Sequence, residues 1–203
     1  MKIITDQFNT EFLKKNTEVF LNNKPYPHII IDNFLNEDIA NNVLMSFELN
    51  DNWTNCSLIN NYKKYQLTNR NYMNESCNKI FDELGSSEFV KKVSELTGLR
   101  NIFLDTTLDG GGLHQIFNNG SLNVHTDFNS HTKNKTWRRV LNILIYLNKD
   151  WKTEYNGNLE LWDKDVKNKI RSIEPIFNRC VIFKTDKLSF HGHPEKLNLP
   201  KNL

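Results

Sequence analysis

The chain is poor in the residues that usually fix small or unusual folds. Its 203 residues include only three cysteines, five prolines and eight glycines. Cys56, Cys77 and Cys180 lie far apart with no C-x-x-C, so neither a zinc framework nor a disulfide scaffold is expected. The low proline and glycine content excludes collagen-like and Pro/Gly-rich disordered classes. No apolar run approaches the ~18–20 residues of a membrane-spanning helix. The opening MKIITDQFNTEF lacks the apolar stretch of a signal peptide. With an odd number of dispersed thiols, the expectation is a cytoplasmic protein with no membrane partner.

Charge of one sign is also missing. Lys and Arg total 26 against 24 Asp and Glu, a net charge of +2. No dense basic block stands out, so no nucleic-acid partner is expected. Asparagine (31) and lysine (20 against 6 arginines) are over-represented in a way that resembles AT-rich coding. A single Asn or Lys therefore carries little weight, and each Arg, His or Trp carries more.

What remains is enough for a packed core: 38% of residues are hydrophobic and 11% aromatic. At this length one domain is expected, burying roughly 70% of the unfolded surface. Helical spacing predicts helices over 5–21, 37–49 (capped by Asn36), 72–84 and 87–97. HIIIDNF, after Pro25 and Pro27, reads as a buried strand. From residue 100 the pattern becomes short apolar or alternating runs: IFLDTTL, GLHQIF, SLNVHTDF, VLNILIYL, NLELWD, IRSIEPI, RCVIFKT and LSFHGH. Turns are expected at Gly110–Gly112, Asn119-Gly120 and Asn156-Gly157. The fold class is therefore α+β with a mainly β core. It is read as a single domain over 1–203, with a helical support region at 1–99 and the β core at 100–203.

His125 and Asp127 form H-x-D near the end of a predicted strand. Period-two alternation puts both side chains on one face. His191, at the end of another predicted strand, offers a second imidazole. Two His and one carboxylate, with positions left open, make the facial triad of non-haem Fe(II) oxygenases. H-x-D alone also arises as a hydrogen-bonded surface pair. His193 shares the parity of His191, but Pro194 follows it, so it is read as a neighbour of the site. His114 and His131 are read as surface or loop residues and His28 as structural. Asn142, Leu144 and Tyr146 alternate on one face of VLNILIYL. Arg138 and Arg139 read as a solvated strand-edge pair that also lies within reach of a substrate.

The succession LHQIFNNGSLNVHTDFN, RRVLNILIYLNKDW, NGNLELWD, IEPIFNRCVIF and SFHGHP resembles the 2-oxoglutarate- and Fe(II)-dependent oxygenases, in particular the prolyl 4-hydroxylase-like branch. PYPHIIIDNFLNEDIANNVL resembles the lead-in of the same enzymes. The resemblance implies a double-stranded β-helix, or jelly roll, with His125, Asp127 and His191 as iron ligands. It implies Fe(II) and the cosubstrate 2-oxoglutarate, with Tyr146, Asn142, Leu144 and Gln115 along the cosubstrate pocket. The implied activity is hydroxylation of a C–H bond in a peptidyl or small-molecule substrate, releasing succinate and CO2. Two alternatives stay open: a non-catalytic metal-binding jelly-roll module, and a cupin-like isomerase or hydrolase using zinc or manganese. Relatives anchor 2-oxoglutarate through an arginine after the second histidine, on a last core strand. Only twelve residues follow His191 here, none of them arginine, so that strand is expected to be missing. Lys201 is the candidate substitute, and weak cosubstrate binding is the expectation.

Overall fold

The computed structural model describes residues 2–48, 50–57 and 61–200. Lys201 lies outside them. Four helices form the first layer: α1 (Thr10–Asn22), α2 (Glu37–Glu48), α3 (Glu75–Leu84) and α4 (Ser87–Thr97). Their starts are set by side-chain oxygens that accept the orphan N–H groups of the first turn. Asn9 accepts from Phe12 N, Asn36 from Asp38 N, Asn74 from Cys77 N and Ser86 from Phe89 N. Part of the asparagine excess is thus used in caps. The first helix begins at Thr10, later than its spacing predicts, because Phe8 turns into the core against Phe34 and Phe89.

Two antiparallel sheets follow. The smaller has the order β1-β8-β5, from β1 (His28–Ile31), β8 (Arg179–Lys184) and β5 (Leu141–Tyr146). The larger has the order β2-β3-β4-β9-β6-β7. Its members are β2 (Thr54–Asn55), β3 (Asn61–Leu67), β4 (Leu113–His125), β9 (His191–His193), β6 (Leu159–Trp162) and β7 (Lys169–Ile173). This is the mainly antiparallel jelly roll that the sequence leads one to expect.

Alternation divides the core in two. Leu141, Ile143 and Ile145 of β5 pack with the helices, in one cluster with Phe8, Phe34, Phe89 and Leu96. Leu144 and Tyr146 face the other way, onto Leu159, Leu161, Ile173, Val181 and Phe183 between the sheets. The 1–99 region is not purely helical: β1 pairs with β8, and β3 pairs with β4.

Three details correct the sequence reading. IFLDTTL forms no strand, because Asp105 caps a turn through Thr107 N and Asp109 N. Asn119-Gly120 is not a hairpin turn. Asn119 adopts φ 63°, and the pairing slips from Tyr62↔Ser121 to Lys64↔Ile116, so one long strand runs through a bulge. In LSFHGH only the last three residues pair as a strand.

Candidate metal centre

The two histidines come together by register. His125, the last residue of β4, sits directly opposite His191, the first of β9, and their ring centroids are 4.6 Å apart. Gly192 makes this approach possible. A Cβ there would lie 2.7 Å from the Leu122 carbonyl oxygen and 2.8 Å from that of Asn123, pushing β9 away from β4. Asp127, just beyond the strand end, returns to the same point. Its Oδ1 lies 3.7 Å from His125 Nε2, and its Oδ2 lies 3.7 Å from His191 Nε2. One donor atom from each residue falls within 4.8 Å of the others.

Both imidazoles are fixed in the same tautomer. His125 Nδ1 donates to the Asn123 carbonyl at 2.8 Å, and His191 Nδ1 donates to the Ser189 carbonyl at 2.9 Å. A proton held at Nδ1 leaves the Nε2 lone pair pointing at Asp127, which is how metal-binding histidines are usually oriented. Leu161 is paired with His191 and fully buried, and the Phe183 ring meets the His191 ring edge-on at 4.9 Å. Burial lowers the His191 pKa, partly opposed by the Asp127 charge, so the imidazole is neutral near pH 7.

Asp127 is held as an anion. Burial works to raise its pKa, but His125, His191, Arg139 and Asn142 outweigh burial and keep it well below the usual carboxylate range. Asn142 Nδ2 donates to Oδ2, and Arg139 Nη1 stands 3.4 Å from the same oxygen. Oδ1 is left facing His125. Two imidazole nitrogens and one fixed carboxylate are donors that suit Fe(II).

The remaining expected residues divide. Asn142 reaches Asp127, while Leu144 and Tyr146 lie on the inner face between the sheets. Burial raises the Tyr146 pKa, so its hydroxyl keeps its proton. Gln115 pairs with Tyr65, and alternation puts it on the face of Leu113 and Phe117, opposite His114. It is not brought to the triad. His193 stays outside the ligand group, with its Nδ1 buried and unpartnered.

Other placements differ from the sequence reading. His114 is half-buried beside Gly111, its pKa lowered to about 4 by burial and then by Lys64. His131 is buried rather than a surface residue. Arg139 is no solvated edge residue. Its guanidinium lies over the Phe128 ring at 4.2 Å, donates to the Asp109 carbonyl at 2.7 Å, and packs against Gly110.

Two residues were missed outright. Lys64 shares the inward face of β3 with Gln66, and its pKa is lowered by burial, against the opposing pull of Asp127. Tyr26 donates from its hydroxyl to the Phe190 carbonyl at 2.9 Å, bracing the residue before His191. An aromatic held between two prolines was the available signal for Tyr26. For Lys64 there was none.

Comparison with known proteins agrees with this geometry. Residues 111–201 match the 2OG-Fe(II) oxygenase superfamily. No curated protein sequence gives a significant match. Among solved structures, a Pseudomonas putida prolyl-4-hydroxylase superposes with a TM-score of 0.64 at 12% identity, covering 91% of this chain and 92% of that one. A Trichoplax adhaerens prolyl hydroxylase, in complex with a hypoxia-inducible-factor oxygen degradation domain peptide fragment, gives 0.57 at 20% identity over 93% and 88%. A Phytophthora capsici prolyl 4-hydroxylase gives 0.59 at 18%, over 96% of this chain and 64% of that one. At these identities the structures speak for the fold, and the family match speaks for the enzyme class with its Fe(II) and 2-oxoglutarate.

Proposed function

We propose that this chain, whose residues 111–201 match the 2OG-Fe(II) oxygenase superfamily, hydroxylates an aliphatic C–H bond of a peptide, with His125, Asp127 and His191 holding the iron. The observation that carries the reading is the matched pair of Nδ1–H bonds, which aims both Nε2 lone pairs at one carboxylate. Fe(II) held there would activate O2 with 2-oxoglutarate as co-reductant, one oxygen atom entering the peptide C–H bond and the other the succinate, with CO2 released.

The protein supplies position and charge. Asn142 and Arg139 orient Asp127 through Oδ2, and His125, Asp127 and His191 would together hold the iron with positions left open for the cosubstrate. Leu144, Tyr146 and Phe183 exclude water from the inner wall. Lys64 takes the role of counter-charge to a dicarboxylate. It is half-buried, and among the described residues no carboxylate pairs with it. Tyr146 is its hydrogen-bonding companion in this reading. A peptide substrate is supported by the peptide-bound Trichoplax structure. The free thiols of Cys56, Cys77 and Cys180 suit the reducing cytoplasm.

The test is succinate release from 2-oxoglutarate in the Fe(II)-loaded protein, with and without proline-containing peptides. Peptide-stimulated succinate with a gain of one oxygen atom in the peptide is the expected result. Peptides that neither stimulate turnover nor gain mass would contradict the proposed substrate.

A further inference from the structure

The segment between Asp127 and β5 carries a charge pattern that the metal centre does not use. Residues 128–140 contain Lys133, Lys135, Arg138 and Arg139 and no carboxylate. Arg139 is committed to Asp127, while Lys133, Lys135 and Arg138 are exposed. Among the described residues none of these three pairs with an acid. Three unneutralised cations thus stand on one short loop in a chain whose whole net charge is +2.

The loop is built rather than loose. Buried His131 accepts at Nδ1 from the backbone N–H groups of Lys133 (3.1 Å) and Asn134 (2.8 Å). Its Nε2 donates to Thr107 Oγ1 at 3.0 Å, which passes its own proton to Asp105 Oδ1 at 2.7 Å. Asp109 Oδ2 accepts from Thr132 N at 2.7 Å, so the two nearby acids are engaged in holding the loop. A cavity of about 230 Å³ opens between the two loops, walled by Gln66, Thr68, Asp109, Gly110, His131 and Lys133. Gly110 links it to the metal centre, since its α-carbon packs on the Arg139 guanidinium, 3.4 Å from Asp127. Exposed Phe128 and the edge-to-face pair Phe103–Trp137 add apolar surface beside the loop.

We infer that the substrate of this site is an acidic polypeptide segment, docked across loop 132–139 with its acidic side chains on Lys133, Lys135 and Arg138. The inference rests on the oxygenase reading and names its substrate class. Complementary charge at a rim steers encounter and selects partners, and a preorganised loop lowers the ordering cost of binding. A small dicarboxylate needs one or two deep cations, whereas here only Lys133 lines the cavity, and Lys135 and Arg138 are exposed outside its lining. A nucleic acid strand needs free aromatic faces and a longer basic track. Here the exposed cations are confined to residues 133–138, and one face of the Phe128 ring is covered by Arg139.

The test measures fluorescence anisotropy of labelled peptides of equal length, each with a central Ala-Pro flanked by Asp/Glu, Ser or Lys, on the full chain. The expected result is roughly tenfold tighter binding of the acidic peptide than of the basic one, weakening as salt rises. Lys133→Glu/Lys135→Glu should abolish that preference, and the same charge change at Lys14 and Lys15 of α1 should not. Should the double variant fail to fold by circular dichroism, the single Lys135→Glu and the wild-type salt titration carry the test. Equal binding of the three peptides, a preference that survives the reversal, or tighter binding of a single-stranded oligonucleotide of matched charge would each overturn the proposal. The anaerobic absorption band of Fe(II) with 2-oxoglutarate is recorded on the same protein. A band without acidic preference removes the docking surface alone. Acidic preference without a band supports the docking surface and removes the oxygenase reading instead.

Discussion

The charged groups of the helical layer and those of the jelly-roll mouth are arranged in opposite ways. On α3 and α4 the lysines sit one turn from glutamates: Lys79 with Glu75, Lys92 with Glu88 and Lys91 with Glu95. These are solvent-screened i,i+4 pairs, which stabilise a helix little and say nothing of a ligand. At the mouth the charges are half-buried or unpaired. Asp127 is enclosed by two imidazoles, an amide and a guanidinium, and among the described residues neither half-buried Lys64 nor exposed Lys133, Lys135 and Arg138 form an ion pair. The lesson is that composition averages over two surfaces of different purpose. A near-zero net charge hides a segment, residues 128–140, that carries four cations and no carboxylate.

The comparison breaks most sharply at Gly192. A methyl group there collides with the Leu122 and Asn123 carbonyls, so Gly192→Ala should separate His125 from His191. The expected loss in Fe(II) affinity is about a hundredfold, read by metal titration, with secondary structure retained. Near wild-type affinity would show that strand register does not set the site.

Next come the two histidines of β9. His191→Ala should lose the metal, whereas His193→Ala should keep it, because only His191 belongs to the donor group. The reverse pattern would move the ligand by two residues. Lys64→Met should then weaken 2-oxoglutarate binding by about tenfold while leaving Fe(II) binding intact, measured anaerobically. Unchanged affinity would assign the counter-charge elsewhere.

A smaller effect separates buried from exposed titration. The His114 pKa is lowered from 6.5 to about 4 by burial. The unfolded chain therefore binds a proton at His114 between these values and the folded chain does not. Its contribution makes stability fall as pH drops from about 6.5 to 4. His114→Gln should flatten the midpoint of thermal unfolding across that window. Lys92→Ala, on the helical layer, should change it little at any pH.

Much of this was legible in the sequence, and the exceptions have physical causes. His125 and Asp127 were found because H-x-D is a local pattern, although Asp127 lies just past the end of β4 rather than on its face, and Asn36 because capping is a local rule. The strand β3 was missed because Lys63 adopts φ 54° at a bulge, which destroys alternation in NYKKYQL. Lys64 went with it, since a lysine in a lysine-rich chain carries no mark of being buried. Gln115 was assigned by its distance from His125 along the chain, and strand parity turned it to the other face. The basic loop was in plain view as KNKTWRR, four cations in seven residues, but the balanced total charge concealed it. Buried His131 was invisible because its partners at 105–109 lie on another loop.

The most direct measurement is the visible spectrum of the protein under anaerobic conditions with Fe(II) and 2-oxoglutarate, compared between wild type and Asp127→Ala. A metal-to-ligand charge-transfer band in the wild type that disappears in Asp127→Ala, together with loss of succinate production, is the predicted result. A band and normal succinate in Asp127→Ala would mean that His125, Asp127 and His191 are not the iron site.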